Sequence, residues 1–241
     1  LLRLIFGDFF LQIAGVLSQD LRVWEHYRLD PDDKTLMPRS CEGIGRADII
    51  GMPWAAARGR QWAEVWYRSI RLAGYDPTEL PTVDMHISYL LVMCHDFFKW
   101  ADRRMIIINE DAEAIASRMK SGKYAPLIYE YNARPLNVVG AVGIGWHETD
   151  AVVDRALEYE FDMALIGVGM RKMIIGPELA RRSGKVVLDM GHMLNAFVLD
   201  VKPMNRKDEP HEWERWDCTK PYEFMLAREL VASNNEGQGG L

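Results

Sequence analysis

The chain has 241 residues, 49% of them hydrophobic, enough for one large domain or two small ones. A net charge of −6, with basic residues spread along the chain, excludes a general nucleic-acid binder. No apolar run reaches the ~18 residues of a membrane span. The cysteines, Cys41, Cys94 and Cys218, are far apart, odd in number and outside any CxxC spacing. They point to reduced thiols in a cytoplasmic protein rather than to a disulfide framework or a zinc site.

In chain order, residues 1–6 are expected to form a strand that ends at Gly7 and Asp8, with a helix over 9–20. The opening LLRLIFGDFFLQIAGVL is apolar but carries Arg3, Asp8 and Gln12. It lacks an initiator Met and a small-residue cleavage site, and so reads as a clipped fold element rather than a signal peptide. Residues 29–40, polar and proline-bearing, read as a loop. A short strand is expected over 46–53, a helix rich in Trp and Arg from Trp54 to Leu72, and a turn region from Gly74 to Pro81. His86 to Trp100 has helical spacing. From 105 to 190 the pattern alternates: strand Met105–Asn109, helix from Asp111 to about Met119, strand Asn137–Val142, helix Thr149–Tyr159, strand Met163–Val168, helix Met170–Arg182 and strand Lys185–Met190. That alternation favours a mostly parallel sheet with helices on its faces. Gly184, just past two arginines, is a helix stop. The charged stretch 203–241, with its SNNEGQGG end, is expected to be a partly disordered tail.

The segment 162–195 carries most of the functional signal. Gly167 and Gly169 break the strand before the helix, and Asp189, Gly191, His192 and Asn195 crowd the far end of the next strand. Ligands of open α/β sheets bind beyond the carboxyl ends of strands, so a site is expected near 167–170 and 189–195. Gly167 and Gly169 permit close backbone approach, and the following helix offers N–H groups to an anion. Arg171 and Lys172 add positive charge. The plainer alternative is a tight turn followed by two solvated cations. Asp189 and His192 suit a ribose, metal or acceptor contact, or a cap and a backbone-bonded histidine; Asn195 is a secondary candidate.

ADIIGMP at 47–53, the strand–helix block opening at MIIIN, FDMALIGVG at 161–169 and GKVVLDMGHMLN at 184–195 come in an order that resembles bacterial glycosyltransferases of the GT-D fold. The Asp-x-Gly-His ending is the most specific of these motifs. The resemblance covers about residues 1–198. It implies an α/β, Rossmann-like, mostly parallel sheet with helices on both faces in a single domain over 1–202. It also implies a nucleotide-sugar donor, usually a UDP-sugar, a saccharide or glycosylated acceptor, and a divalent metal, Mn or Mg. The family's Asp-x-Glu metal motif is incomplete: Gly7 and Asp8 match, but Phe9 and Phe10 stand where Gly-Glu is expected. Asp8 is then the metal candidate, bridged through diphosphate oxygens; its alternative is an N-cap. Gly167, Gly169, Arg171, Lys172 and Asn195 would hold the nucleotide diphosphate, and Asp189 and His192 would be catalytic.

Other features weigh less. Asp84 and His86 are read as loop residues before a helix, the aspartate as its N-cap, and His95 and Asp96 as packing or surface groups. Asp30, Asp32 and Asp33 lack the glycine and glutamate of a calcium loop. Trp54, Trp62 and Trp66 share a helical face that suits a core more than a sugar platform. His147-Glu148 has no second histidine at metalloprotease spacing. Three further functions remain open: a catalytically silent sugar or nucleotide binder of the same fold, a structural domain, and a dinucleotide-dependent oxidoreductase. For the last, Gly167-x-Gly169 with Asp189 mimics part of the fingerprint, but Lys172 replaces its third glycine.

Overall fold

The structure is a computed structural model; it describes residues 3–5, 35–52, 67–68, 70–71, 73–84, 88, 91, 96–122, 134–145 and 148–198. Among the described residues, seven strands form one sheet: β1 Arg3–Ile5, β2 Ile49–Met52, β3 Thr82–Asp84, β4 Met105–Asn109, β5 Val138–Gly143, β6 Met163–Ile166 and β7 Val186–Asp189. Their order is β3-β2-β1-β7-β6-β4-β5, and every pairing is parallel. Among the described residues, four helices of eight residues or more accompany the sheet: α1 Leu36–Arg46, α2 Ala112–Ser121, α3 Asp150–Leu157 and α4 Lys172–Ser183. The described residues therefore form one α/β, Rossmann-like fold with helices on both faces of a parallel sheet, as expected.

Strands β4 and β6 are buried at every position because both faces of the sheet are covered. Met105 and Ile107 of β4 pack in the cluster that holds Ile115 and Met119 of α2. Ile106 and Ile108 point to the opposite cluster, with Val152 and Val153 of α3 and Ile175 and Leu179 of α4. Burying each of these isoleucines contributes about 1.5–3 kcal/mol. Helices α2 and α4 stop at Gly122 (φ 64°) and Gly184 (φ 67°), where a left-handed residue is needed.

Two expectations are corrected. The loop read over 29–40 turns helical at Leu36, and α1 runs through Arg46, where a strand was expected to begin. Pro38 sits in the first turn, where no intrahelical carbonyl awaits its missing N–H. Leu36, Ser40, Gly43 and Ile44 form the buried face; it contains a serine and a glycine, so hydrophobic periodicity is weak there. Asp84 is the last residue of β3 rather than a loop residue. Three residues after Pro81 are too short a run for alternation to register. Cys41 is a free, half-buried thiol whose burial pushes its pKa up. Cys94, Cys218, Trp54, Trp62, Trp66, His86, His95, His147, the acidic run at 30–33 and the tail from 203 lie outside the described residues.

At the amino edge of the sheet, Arg104 and Asp162 clamp β4 to β6. The Arg104 backbone N–H donates to Asp162 Oδ2 at 3.1 Å and its Nη2 to Oδ1 at 3.0 Å, while Arg104 O accepts from the Asp162 N–H at 2.8 Å. The side-chain bond from Arg104, then its backbone N–H, hold the Asp162 carboxyl down to about 2. A depressed folded-state pKa contributes stability that is present above the unfolded value near ~3.9 and lost as pH falls toward the folded one. Asp162→Asn should therefore lower Tm most above about pH 5, and the difference from the parent should shrink between about pH 4 and 2. Thermal melts across that range measure it, and a gap that ignores pH would show that the carboxylate charge is not the source.

Candidate functional site at the carboxyl edge

Because all strands run one way, their carboxyl ends share one edge. Ile108 of β4 is level with Ile166 of β6, which is level with Asp189 of β7. The onward connection of β4 leads outward to β5, whereas that of β6 leads the other way to β7. Such a reversal opens a crevice between the strand ends. Asn109 closes its floor. The side chain is buried; its Nδ2 donates to Gly167 O at 2.6 Å and its Oδ1 accepts from the Asp111 N–H at 2.9 Å. Sequence reasoning missed this residue, although an asparagine ending the apolar run MIIIN was the available signal.

The glycine turn and the end of β7 touch. A Cβ on Gly167 would lie 2.8 Å from Gly191 O and 3.1 Å from Leu194 Cδ1. Only glycine lets the two turns meet at this distance. Gly169, at φ 59°, opens a 3-10 turn over Gly169–Arg171 that leads directly into α4. Gly191, at φ 49°, opens a second over Gly191–Met193. The two groups of residues that the sequence singled out, 167–172 and 189–195, are thus one place in the fold.

Neither cation of the turn is solvated, which corrects the plainer alternative. Lys172 Nζ lies 2.8 Å from Asp189 Oδ2, with side chains 5% and 0% exposed. Asp189 Oδ1 accepts the Gly191 N–H at 2.9 Å. Arg171 is buried as well, and its Nη1 donates to Gly145 O at 2.6 Å and Glu148 O at 3.2 Å. It therefore grips the β5–α3 loop. Glu148 braces that loop from within, accepting from the Gly145 N–H at 3.0 Å and Arg155 Nη2 at 2.8 Å. Arg155, and secondarily the Gly145 N–H, hold the Glu148 carboxyl below the usual range.

Asn195 opens the 3-10 turn Asn195–Phe197, and its Oδ1 is buried with no hydrogen-bond partner among the described residues. Such an acceptor calls for a donor. His192 lies in the backbone turn Gly191–Met193. Asp8 falls outside the described residues. Among the described residues no three His, Cys, Asp or Glu side chains are grouped to hold a metal ion. A cleft of about 250 Å³ lies among α1, α3 and α4. Its arginines are paired: Arg39 with Asp150, Arg46 with Glu42, and Arg182 with Asp154. No described helix is long and apolar enough to cross a membrane.

Comparison with known families gives a match over residues 20–197 to a family described as a GT-D fold-like domain. No curated protein and no solved structure matches significantly.

Proposed function

We propose, because this chain belongs to the GT-D-like family, that it is a glycosyltransferase-type domain. On this reading it takes a nucleotide-activated sugar, first of all a UDP-sugar, at the carboxyl edge of β4, β6 and β7. The sugar passes to a saccharide or glycosylated acceptor. The observation that carries the reading is the close contact of Gly167 with Gly191 at the reversal point of the sheet, which joins both motif segments into one site.

The chemistry asks for a place for the diphosphate and a base for the acceptor hydroxyl. Helix α4 begins at the turn, and its first N–H groups and positive dipole end favour an anion there. Arg171 and Lys172 contribute charge from beneath rather than direct contacts, since both side chains are engaged. His192 is the proposed general base. The acceptor hydroxyl gives its proton to the imidazole and its oxygen bonds the anomeric carbon. The bond from that carbon to the diphosphate oxygen breaks, and the diphosphate leaves with the electron pair. Asp189 serves as a positioning residue that holds the turn through Gly191. Asn195, with its unpartnered oxygen, would accept a hydrogen bond from a hydroxyl or N–H of the donor. Asp8 would hold the divalent metal, which would offset the charge of the leaving diphosphate.

Thermal melts with UDP, with and without manganese and with NAD(H) as control, test the reading. A ligand at ~100 times its Kd that binds only the folded protein adds about 2.7 kcal/mol, or roughly 5–11 °C for a domain of this size. Asp8→Ala should remove any manganese-dependent part of that shift. His192→Ala should slow transfer by about 10²–10⁴-fold with little change in Tm. Stabilisation by NAD(H) and not by UDP would replace this reading with the oxidoreductase. UDP binding without donor hydrolysis or transfer would favour the silent binder.

A further inference from the structure

The carboxylate at the end of β7 already has a cation. Helix α4 follows Arg171, starts with Lys172 and has no acidic residue in its first turn, an arrangement that the helix dipole disfavours. Asp189 supplies the missing negative charge from the neighbouring strand. Its Oδ2 meets Lys172 Nζ at 2.8 Å and its Oδ1 meets the Gly191 N–H at 2.9 Å. Both side chains are almost wholly buried. A divalent ion needs a carboxylate oxygen turned toward it and several further oxygen ligands. It is also repelled by a like charge at contact distance. The ammonium takes the first and imposes the second, and the described acidic groups do not gather around Asp189 to supply the rest.

Resting on the reading of this edge as a nucleotide-sugar site, we propose that Lys172 occupies, at the end of β7, the place of a divalent cation. Its ammonium is the resident countercharge of Asp189 and a positioning group for the turn to His192, and Asp189 is not a metal ligand. A divalent ion brought by a nucleotide is then held by other groups.

Manganese alone is the probe, with free ion followed by electron paramagnetic resonance on the full chain. Asp189→Asn should change manganese affinity less than twofold, including the case in which parent and variant both fail to bind. The double variant Lys172→Met/Asp189→Asn removes the charges together and gives the same readout if the single change does not fold. A tenfold or larger loss of manganese affinity in either folded variant would overturn the proposal. The titration uses no nucleotide. Failure of UDP to stabilise the parent would remove the functional reading and leave the result on Lys172 standing.

Discussion

Gly43→Ala is expected to destabilise the protein by about 3 kcal/mol or more, the upper end of overpacking costs. Helix α1 crosses α4 at this glycine. A Cβ built on Gly43 would lie 1.7 Å from Met173 O and 2.8 Å from its carbonyl carbon. The obstacle is backbone, which cannot turn aside as a side chain could. Pro177 explains why that carbonyl is approachable. It stands four residues after Met173 within α4, where it has no N–H to give the Met173 oxygen. A weak Cα–H···O contact from Gly43 is the partner that the geometry allows. Sliding α1 away would pull Ile44 from its cluster with Ile50, Ile70 and Met173 and stretch the 3.6 Å pair of Arg46 with Glu178. Calorimetry should show a Tm lower by roughly 6–12 °C. Gly143→Ala is the control, since nothing lies within 4 Å of its added Cβ, and should stay within about 0.5 kcal/mol of the parent. A Gly43→Ala protein melting with the control would mean that the two helices part more easily than their packing suggests.

The second large effect is a coupling. Lys172→Met alone leaves a buried carboxylate, and Asp189→Asn alone leaves a buried ammonium; each should cost about 3–5 kcal/mol. The double variant leaves neither charge and should lose far less than the sum, because a buried pair roughly balances its own desolvation. The interaction term should therefore be at least about 3 kcal/mol, the upper end of what contacting residues show. Asp189→Asn retains an oxygen for the Gly191 N–H, so the cycle isolates the charge. Chemical denaturation of the four proteins measures it. Losses that simply add would mean that the two groups do not stabilise each other.

Much of the fold was legible. The run MIIIN, the glycine stop at Gly184 and the helical face of Ile174, Ile175, Leu179 and Ala180 are local signals, and each corresponds to an observed element or a buried face. Helix α1 was not, because Pro38 and the polar stretch before it outweighed a buried face made of Leu36, Ser40, Gly43 and Ile44. Strand β3 was missed because three residues carry no periodicity. Residues 167–172 and 189–195 come together because parallel strands put their carboxyl ends at one edge. Asn109 escaped because its partner, the Gly167 carbonyl, is 58 positions away.

By itself, the sequence determined the alternation of strands and helices, the places where they stop, and the clustering of polar residues after β6 and β7. These follow from side-chain period and glycine conformation, which act over a few residues. Only the tertiary structure decided the strand order that sets β7 beside β1 and opens the crevice between β4 and β6. It alone decided that Lys172 closes on Asp189 and Arg171 on the carbonyls of Gly145 and Glu148. A charged side chain written next to a glycine turn looks solvated until packing buries it, and burial then forces it onto whatever countercharge or carbonyl the fold has brought within reach.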